Sequence, residues 1–250
     1  ELTKKMPNLK ILQMPNAGYD DAMEYVRDGM TLCNGKSIHD DSTAELAVGL
    51  TIASLRGFPD FIRNQDKSDW VHVKNKSIND RKIGIIGFGS IGTTIAKMLS
   101  GFAVEIIPFT QSGRDNTIAI TDLDKHLPTL DVVILILPLT KESKHLFDAK
   151  RLSLMKDGAL LVNVARGPIV ETDALVKELN SGRITAALDV TDPEPLPKDH
   201  PLWRAKGVLI SPHVGGNTTA FESRARRLIE SQLNLLSEGK HLNNVIVSGN

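Results

Sequence analysis

Residues 82–92 have the sequence Lys-Ile-Gly-Ile-Ile-Gly-Phe-Gly-Ser-Ile-Gly, which predicts a buried strand, a tight Gly-x-Gly-x-x-Gly turn and the start of a helix. Gly87 permits the turn, Gly89 lets the backbone approach a pyrophosphate, and Gly92 lets the helix pack against the strand. The N-terminus of a helix also attracts phosphate groups. The stretch therefore predicts a dinucleotide-binding turn, with cofactor contacts at Gly87, Gly89, Ser90, Ile91 and Gly92.

The composition of the 250-residue chain is that of a globular protein, with 41% hydrophobic and 24% charged residues. Thirty basic residues balance thirty acidic ones, so the net charge indicates neither a nucleic-acid partner nor binding to a membrane. The apolar runs are too short to cross a bilayer and no signal-type stretch is visible, which predicts a cytoplasmic protein. Cys33 is the one cysteine, and no histidines have ligand spacing, so we expect no metal site.

Six apolar runs alternate with helical patterns from Lys82 onward. They lack polar alternation, which indicates strands of a parallel sheet whose two faces are both covered by helices. The predicted fold class is α/β, a doubly wound Rossmann sheet of six parallel strands. These strands are Lys82–Ile86, Val104–Phe109, Val132–Leu137, Leu160–Ala165, Thr185–Val190 and Val208–Ile210.

The segments on either side of this sheet have a different pattern. We assign residues 1–38 and 218–250 to a second, smaller α/β lobe that is split in sequence, and residues 39–217 to the dinucleotide-binding domain. The predicted elements of the second lobe are the strands Leu9–Met14 and Thr31–Cys33 and a long helix from Thr218 to Ser237. We expect this lobe to close over the carboxyl ends of the parallel strands, where ligands bind in such folds.

A further helix is predicted between the first lobe segment and the sheet. Ser42-Thr-Ala-Glu45 has the pattern of a capping box, and the helix would run from there to Arg56 before Gly57 and Pro59.

Three residues follow predicted strand ends on the ligand-binding edge of the sheet: Arg166, Glu194 and His213. A histidine that titrates near neutrality can give a proton to a keto oxygen and take it back. A neighbouring carboxylate favours the protonated ring and fixes its tautomer. An arginine fork matches a carboxylate with two hydrogen bonds. These residue types suit the reduction of a 2-keto acid by a hydride.

The segments that carry these residues resemble the D-isomer-specific 2-hydroxyacid dehydrogenase family. They are Asn163-Val-Ala-Arg166-Gly167-Pro168, Asp189-Val-Thr-Asp-Pro-Glu194-Pro195 and Ser211-Pro-His213, and with the glycine turn the resemblance extends over nearly the whole chain. It implies that Arg166 binds the carboxylate and keto oxygen of the substrate, that His213 transfers the proton, and that Glu194 orients His213.

The resemblance implies further binding positions. Asn16, Ala17 and Gly18 match a loop whose backbone N–H groups receive the substrate carboxylate, although a plain connecting turn would have the same sequence. Asp189 matches the residue that faces the nicotinamide carboxamide. The other cofactor contacts implied are Leu137, Pro138, Val164, Ala165 and Gly215.

The end of the second predicted strand departs from the pattern of an NAD site. An acidic residue is expected there to bind the ribose hydroxyls, but the chain has Thr110, followed by Gln111-Ser112-Gly113-Arg114. The hydroxyls of Thr110 and Ser112 and the charge of Arg114 would accept a 2′-phosphate. We therefore predict NADP(H) as the cofactor, with NAD use also possible.

The second lobe is short for a domain, so we expect it to be incomplete here and the native polypeptide to extend upstream of Glu1 by about 50 residues. The resemblance also implies a homodimer, for which the apolar helix from Ser42 to Arg56 is suitable. The partner is predicted to be a small-molecule 2-keto or 2-hydroxy acid of the glyoxylate or hydroxypyruvate class. The alternative is a dinucleotide-sensing, co-repressor-like scaffold of the same fold without significant turnover.

Overall fold

The computed structural model describes residues 2–249 and divides into two compact units. Unit 1 consists of Glu1–Ser42 and Gly216–Asn250, and unit 2 of Thr43–Gly215. The division lies within a few residues of the predicted boundaries at 38/39 and 217/218. Residues 1 and 250 of the predicted ranges lie outside the described residues.

The strands and helices follow the predicted alternation from β3 onward. In chain order the strands are β1 Ile11–Gln13, β2 Thr31–Cys33, β3 Lys82–Ile86, β4 Glu105–Thr110, β5 Ile118–Ala119, β6 Val132–Leu135, β7 Leu160–Asn163, β8 Thr185–Leu188, β9 Val208–Ile210 and β10 Val245–Val247. The helices are α1 Asp40–Leu55, α2 Phe58–Asp66, α3 Ser90–Leu99, α4 Leu123–His126, α5 Ala149–Leu154, α6 Thr172–Ser181 and α7 Phe221–Ser237.

Unit 2 is built on a parallel sheet with the strand order β5-β4-β3-β6-β7-β8-β9. The predicted α/β doubly wound class is confirmed, but the sheet has seven strands and not six. The additional strand, β5, pairs only Ile118 and Ala119 with the end of β4. Two residues leave no periodicity in a sequence, which is why the edge strand was missed.

The core of unit 2 forms two layers, one on each face of the sheet. Side chains alternate along a strand, so Ile83 and Ile85 of β3 face the layer that contains Ile95 of α3, while Ile86 faces the opposite layer with Phe109. All five side chains are fully buried. Burial on both faces explains why these strands are apolar throughout.

Helix α1 begins at Asp40, two residues before the predicted capping box. The Ser42 hydroxyl is hydrogen-bonded to the Thr218 hydroxyl (2.8 Å), so it does not cap the helix as predicted. Helix α2 was not predicted, because Gly57 and Pro59 were interpreted only as a helix end. Gly57 instead adopts a left-handed conformation (φ 71°) before α2, and Pro59 is accommodated in the first turn.

Unit 1 contains a three-stranded sheet in the order β1-β2-β10 and the long helix α7. Strand β2 pairs in parallel with β1 and antiparallel with β10. The buried Gln232 of α7 donates to the Gln13 side chain (2.8 Å) and exchanges hydrogen bonds with the Asn243 backbone (2.8 and 2.9 Å). These bonds attach the helix to β1 and to the segment before β10.

Among the described residues, no helix combines the length and apolar character needed to cross a membrane.

Candidate active site

The glycine turn after β3 has the geometry that its sequence predicts. Gly87 has φ 102°, and a Cβ there would lie 2.2 Å from the Ile136 carbonyl oxygen. A Cβ on Gly92 would lie 2.2 Å from the Gly87 carbonyl oxygen. Both contacts are far too short for any side chain, so these two glycines are required by backbone packing.

Gly89 differs from the other two glycines because a Cβ there would meet nothing within 4 Å in the described part of the chain. It precedes Ser90 and Ile91 at the start of α3, and no side chain caps that terminus. The first-turn N–H groups therefore have no side-chain acceptor, and a terminus that is open at Gly89 fits the pyrophosphate of a dinucleotide.

The segment 110–117, which begins at the last residue of β4, is called the Arg114 loop below. The Thr110 hydroxyl accepts from the Gly113 N–H (3.1 Å) and contacts the Thr117 hydroxyl (2.6 Å), which donates to the Arg114 carbonyl. The Arg114 side chain is 70% exposed, with Asp115 as a loose ion partner at 3.9 Å. Ser112 is exposed as well. Thr110 thus shapes the loop, while Ser112 and Arg114 remain accessible to a ligand.

The segments after β6 and β7 place the next predicted cofactor contacts at the same edge of the sheet. Leu137 and Pro138 lead into a loop closed by the buried Ser143 hydroxyl, which donates to the Pro138 carbonyl (2.8 Å). Val164 and Ala165 are buried directly after β7, and the Val164 N–H donates to the Leu135 carbonyl (3.2 Å).

Arg166 lies on a turn that its neighbours in the motif fix. The Asn163 side chain accepts from the Ala165 N–H (3.1 Å) and donates to the Arg166 carbonyl (3.0 Å). A Cβ on Gly167 would lie 1.9 Å from the Thr191 carbonyl oxygen. Arg166 itself is half-buried, and its guanidinium donates to the Ala165 carbonyl (2.8 Å). The motif therefore holds one arginine between two structural residues.

His213 and Glu194 are brought together as predicted, with 2.6 Å between His213 Nδ1 and Glu194 Oε1. Both side chains remain partly exposed, at 46% and 40%. The contact fixes the proton of a neutral ring on Nδ1 or stabilises the charged ring, and in either case Nε2 points away from the carboxylate. This is the arrangement that an acid–base histidine needs.

The buried carboxylate of Asp189 anchors the segment that carries His213, residues 211–215, called the His213 loop below. It accepts from the Ser211 hydroxyl (2.6 Å), the Val214 N–H (2.9 Å) and the Gly215 N–H (2.9 Å). The Asp189 carbonyl also accepts from the His213 N–H (2.7 Å). The anchoring role of Asp189 was not predicted, because the donors are 22 to 26 residues away in sequence.

The topology of the sheet explains how these residues meet. Strands β7, β8 and β9 are parallel neighbours, and Arg166, Glu194 and His213 follow them in that order. The glycine turn, the Arg114 loop and Leu137 follow β3, β4 and β6 of the same sheet. All predicted site residues of unit 2 therefore lie at or beyond the carboxyl ends of its strands, where α/β sheets bind ligands.

Unit 1 carries the remaining candidates, Asn16, Ala17 and Gly18, three to five residues after the end of β1 at Gln13. The Asn16 carbonyl accepts from the Gly35 N–H (2.7 Å), and the Ala17 carbonyl accepts from the Asn34 side chain (2.7 Å). No backbone hydrogen bond from the N–H groups of Ala17 or Gly18 is found within residues 2–249. With carbonyls bound and N–H groups available, the loop suits an anion.

No three His, Cys, Asp or Glu side chains of the described part of the chain are grouped as metal ligands would be.

Comparison with known proteins gives consistent matches. The profile described as D-isomer specific 2-hydroxyacid dehydrogenase, NAD binding domain, matches residues 48–215. A glyoxylate reductase of Thermofilum pendens is 34% identical over 96% of this chain and 75% of its own length.

Solved structures are similar over almost the whole chain. A D-isomer specific 2-hydroxyacid dehydrogenase family protein from Aeromonas salmonicida has a TM-score of 0.90 and 29% identity, covering 98% of this chain and 81% of that protein. A D-isomer specific 2-hydroxyacid dehydrogenase from Xanthobacter autotrophicus Py2, in complex with NADPH and MES, has a TM-score of 0.83 and 28% identity, covering 98% and 80%.

Proposed function

The chain belongs to the D-isomer specific 2-hydroxyacid dehydrogenase family, and from this premise we propose that it interconverts a small 2-keto acid of the glyoxylate or hydroxypyruvate class and its D-2-hydroxy acid with NADP(H). The observation that carries the proposal is the 2.6 Å contact between His213 and Glu194 on the anchored His213 loop. A glyoxylate reductase among the relatives supports the substrate class.

We assign the proton transfer to His213. Its Nε2 gives a proton to the keto oxygen during reduction and takes it back during oxidation. Glu194 stabilises the charged ring and fixes the orientation of the imidazole through Nδ1. The dinucleotide supplies the hydride when bound. Carbonyl reduction needs both a hydride and a proton, and His213 would provide the proton.

We assign substrate binding to Arg166 and to the loop of Asn16, Ala17 and Gly18. The guanidinium of Arg166 can donate to the carboxylate and keto oxygens at once, which polarises the carbonyl. The N–H groups of Ala17 and Gly18 are proposed as donors to a carboxylate oxygen of the substrate. Backbone amides would recognise only the carboxylate that all 2-keto acids share. The choice among these acids would then depend on contacts with the substrate side chain.

We assign the cofactor to the glycine turn and the Arg114 loop. The pyrophosphate would bind at Gly87, Gly89, Ser90, Ile91 and Gly92. The accessible Ser112 and Arg114 would bind the 2′-phosphate of NADP(H). The loop has no carboxylate before Asp115. A carboxylate at the end of β4 would favour NAD, so its absence supports the NADP(H) assignment. Further contacts are proposed at Thr110, Leu137, Pro138, Val164, Ala165, Asp189 and Gly215.

We also propose a homodimer, although through a different surface from the one expected. Helix α1 buries Ala44, Ala47 and Leu50 in the core of unit 2, which leaves little of it for a partner. Helix α2 buries no residue, and the segment after it exposes Trp70 to 98%. The exposed apolar side chains of this surface are Phe58, Phe61, Ile62, Trp70, Val71 and Val73. Apolar surface of this kind is typical of an interface.

The dimer is tested by light scattering on the wild-type chain and the double variant Ile62→Glu/Trp70→Ala. We expect the variant to have the mass of one chain and the wild type that of two. A monomeric wild type would refute the assignment.

The proposed reaction is tested by following NADPH oxidation at 340 nm with a panel of 2-keto acids. We expect turnover of glyoxylate or hydroxypyruvate, weaker turnover with bulkier acids, and a lower kcat/KM with NADH. If the protein binds NADPH but turns over no acid of the panel, the reductase assignment is wrong and the co-repressor-like scaffold is favoured.

A further inference from the structure

His39 of unit 1 contacts three separate segments of that unit. Its Nε2 lies 3.2 Å from Asn16 Oδ1, and its ring stacks on Phe221 with 5.3 Å between ring centroids and 7° between the planes. A Cβ on Gly216 would lie 2.6 Å from His39 Nδ1. Only a glycine leaves room for the imidazole at that point, so the ring is closely surrounded.

The surroundings of His39 are themselves fixed. Asp41 forms an ion pair with Arg224 of α7, and the Ser42 hydroxyl is hydrogen-bonded to the Thr218 hydroxyl at 2.8 Å. These two contacts join the start of α1 to α7 and to the segment just before it. The stacking on Phe221 and the close fit at Gly216 restrain the imidazole independently of Asn16.

The hydrogen bond to Asn16 defines which nitrogen of His39 carries a proton. Because the amide oxygen is an acceptor, Nε2 must donate. Burial lowers the pKa of His39, so the ring is neutral at pH 7 and its single proton is on Nε2. A neutral donor can orient an amide oxygen without adding a charge to its surroundings.

Asn16 is the first residue of the candidate carboxylate loop. Its backbone carbonyl is bound to the Gly35 N–H and the next carbonyl to the Asn34 side chain. Asn16 is the one residue of this loop with a polar side chain, and its Oδ1 accepts a hydrogen bond from His39 Nε2. We propose that His39 is a positioning residue that holds Asn16, and thereby the N–H groups of Ala17 and Gly18, in the orientation that binds the substrate carboxylate. This inference rests on the proposed function of the loop.

The test is the variant His39→Phe, which keeps an aromatic ring against Phe221 and removes the N–H donor. We expect KM for the 2-keto acid to rise about three- to tenfold, the effect of one lost neutral hydrogen bond. We expect kcat and the Kd of NADPH to stay within about twofold of wild type, since proton transfer and cofactor binding are assigned to other residues. An unchanged KM would overturn the inference.

Three further variants separate positioning from a general packing effect. His39→Gln keeps an N–H donor and should restore KM to within about twofold of wild type. His126→Phe is the matched control. The ring of His126 also packs against a phenylalanine, Phe109, with 5.5 Å between the ring centroids, but it lies in unit 2. It should leave KM unchanged. In an Asn16→Ala background, His39→Phe should have no additional effect on KM, and additive effects would contradict action through Asn16.

Hydrogen exchange of residues 14–19 distinguishes a failure of this inference from a failure of the proposed function. Faster exchange in His39→Phe, and not in His126→Phe, is expected whether or not a keto acid is turned over. If the wild type proves inactive but this difference is found, the proposed function is wrong and the positioning contact stands. Equal exchange in both variants overturns the inference.

Discussion

The His213 loop and the Arg114 loop both follow strands of the same parallel sheet, yet they are held in different ways. The first is anchored by a buried carboxylate that accepts three hydrogen bonds. The second is held by neutral hydroxyls near the surface. Hydrogen bonds to a charged group are about twice as strong as neutral ones. The residue proposed to transfer the proton thus lies on a rigid support, and the residues proposed to select the cofactor lie on an adaptable one.

The largest effect is expected from removing the reactive group of the rigid loop. His213→Ala should lower kcat by about 10²–10⁴-fold, the usual contribution of a positioned acid–base group. The Kd of NADPH, measured by fluorescence, should barely change. His241→Ala removes an exposed histidine of unit 1 and serves as the control. If His213→Ala kept wild-type turnover, His213 would have to be removed from the mechanism.

The second-largest effect is expected from replacing Asp189, the anchor of the rigid loop. Asp189→Asn directs an amide NH₂ toward groups that are themselves donors, so at least one buried N–H or O–H loses its acceptor. We expect a loss of about 1–3 kcal/mol in the free energy of unfolding and a fall in kcat of about 10²-fold through misplacement of His213. Calorimetry and steady-state kinetics measure the two effects.

Ser211→Ala removes only one of the three donors to Asp189 and leaves the carboxylate in place. It should therefore lower kcat far less than Asp189→Asn. Equal losses in both variants would show that the carboxylate is not the anchor.

The adaptable loop should respond in cofactor choice and not in kcat. Arg114→Ala removes the charge-assisted hydrogen bond that we propose to the 2′-phosphate, worth about 1.5–3 kcal/mol, so the Kd of NADPH should rise about ten- to a hundredfold. The Kd of NADH should be nearly unchanged. Parallel loss of both cofactors would instead indicate a folding defect.

A gain of NADH binding can be sought at the end of β4. Thr110→Asp keeps an acceptor for the Gly113 N–H while adding a carboxylate that repels a 2′-phosphate and accepts from ribose hydroxyls. The ratio of kcat/KM for NADH to that for NADPH should rise. A ratio that does not move would show that the end of β4 does not face the ribose.

The smallest effect is expected from Thr110→Val, which removes the hydroxyl that shapes the Arg114 loop. The loss of neutral, partly exposed hydrogen bonds should raise the Kd of NADPH by about two- to fivefold and leave the melting temperature almost unchanged. A large fall in melting temperature would mean that this loop is as firmly held as the His213 loop.

The sequence pattern was most informative where burial is continuous. Strand β3 was predicted with its observed bounds, since both faces of Lys82–Ile86 are determined by the local run of apolar residues. Strand β10 was missed because Val245–Val247 is short and partly exposed. The capping box at Ser42 was wrong for a related reason. Its hydroxyl has a partner 176 residues away, which no local pattern can reveal.

The candidate site also contains residues that the sequence could predict and contacts that it could not. Reactive residue types in motifs, such as His213 and Glu194, could be named from the sequence, and the structure places them in contact. The anchoring by Asp189 and the contact between His39 and Asn16 could not be predicted. Both depend on distant segments that only the folded chain brings together.

Gly167 shows how a mutational survey of this enzyme could mislead. It has no reactive group, yet even one added carbon would overlap the Thr191 carbonyl oxygen and push the Arg166 turn away from the segment that follows β8. Saturation mutagenesis scored by activity would therefore rank position 167 with His213. Without the structure, Gly167 would then be counted among the catalytic residues. Pairing the survey with a measure of folded protein abundance would separate the two classes.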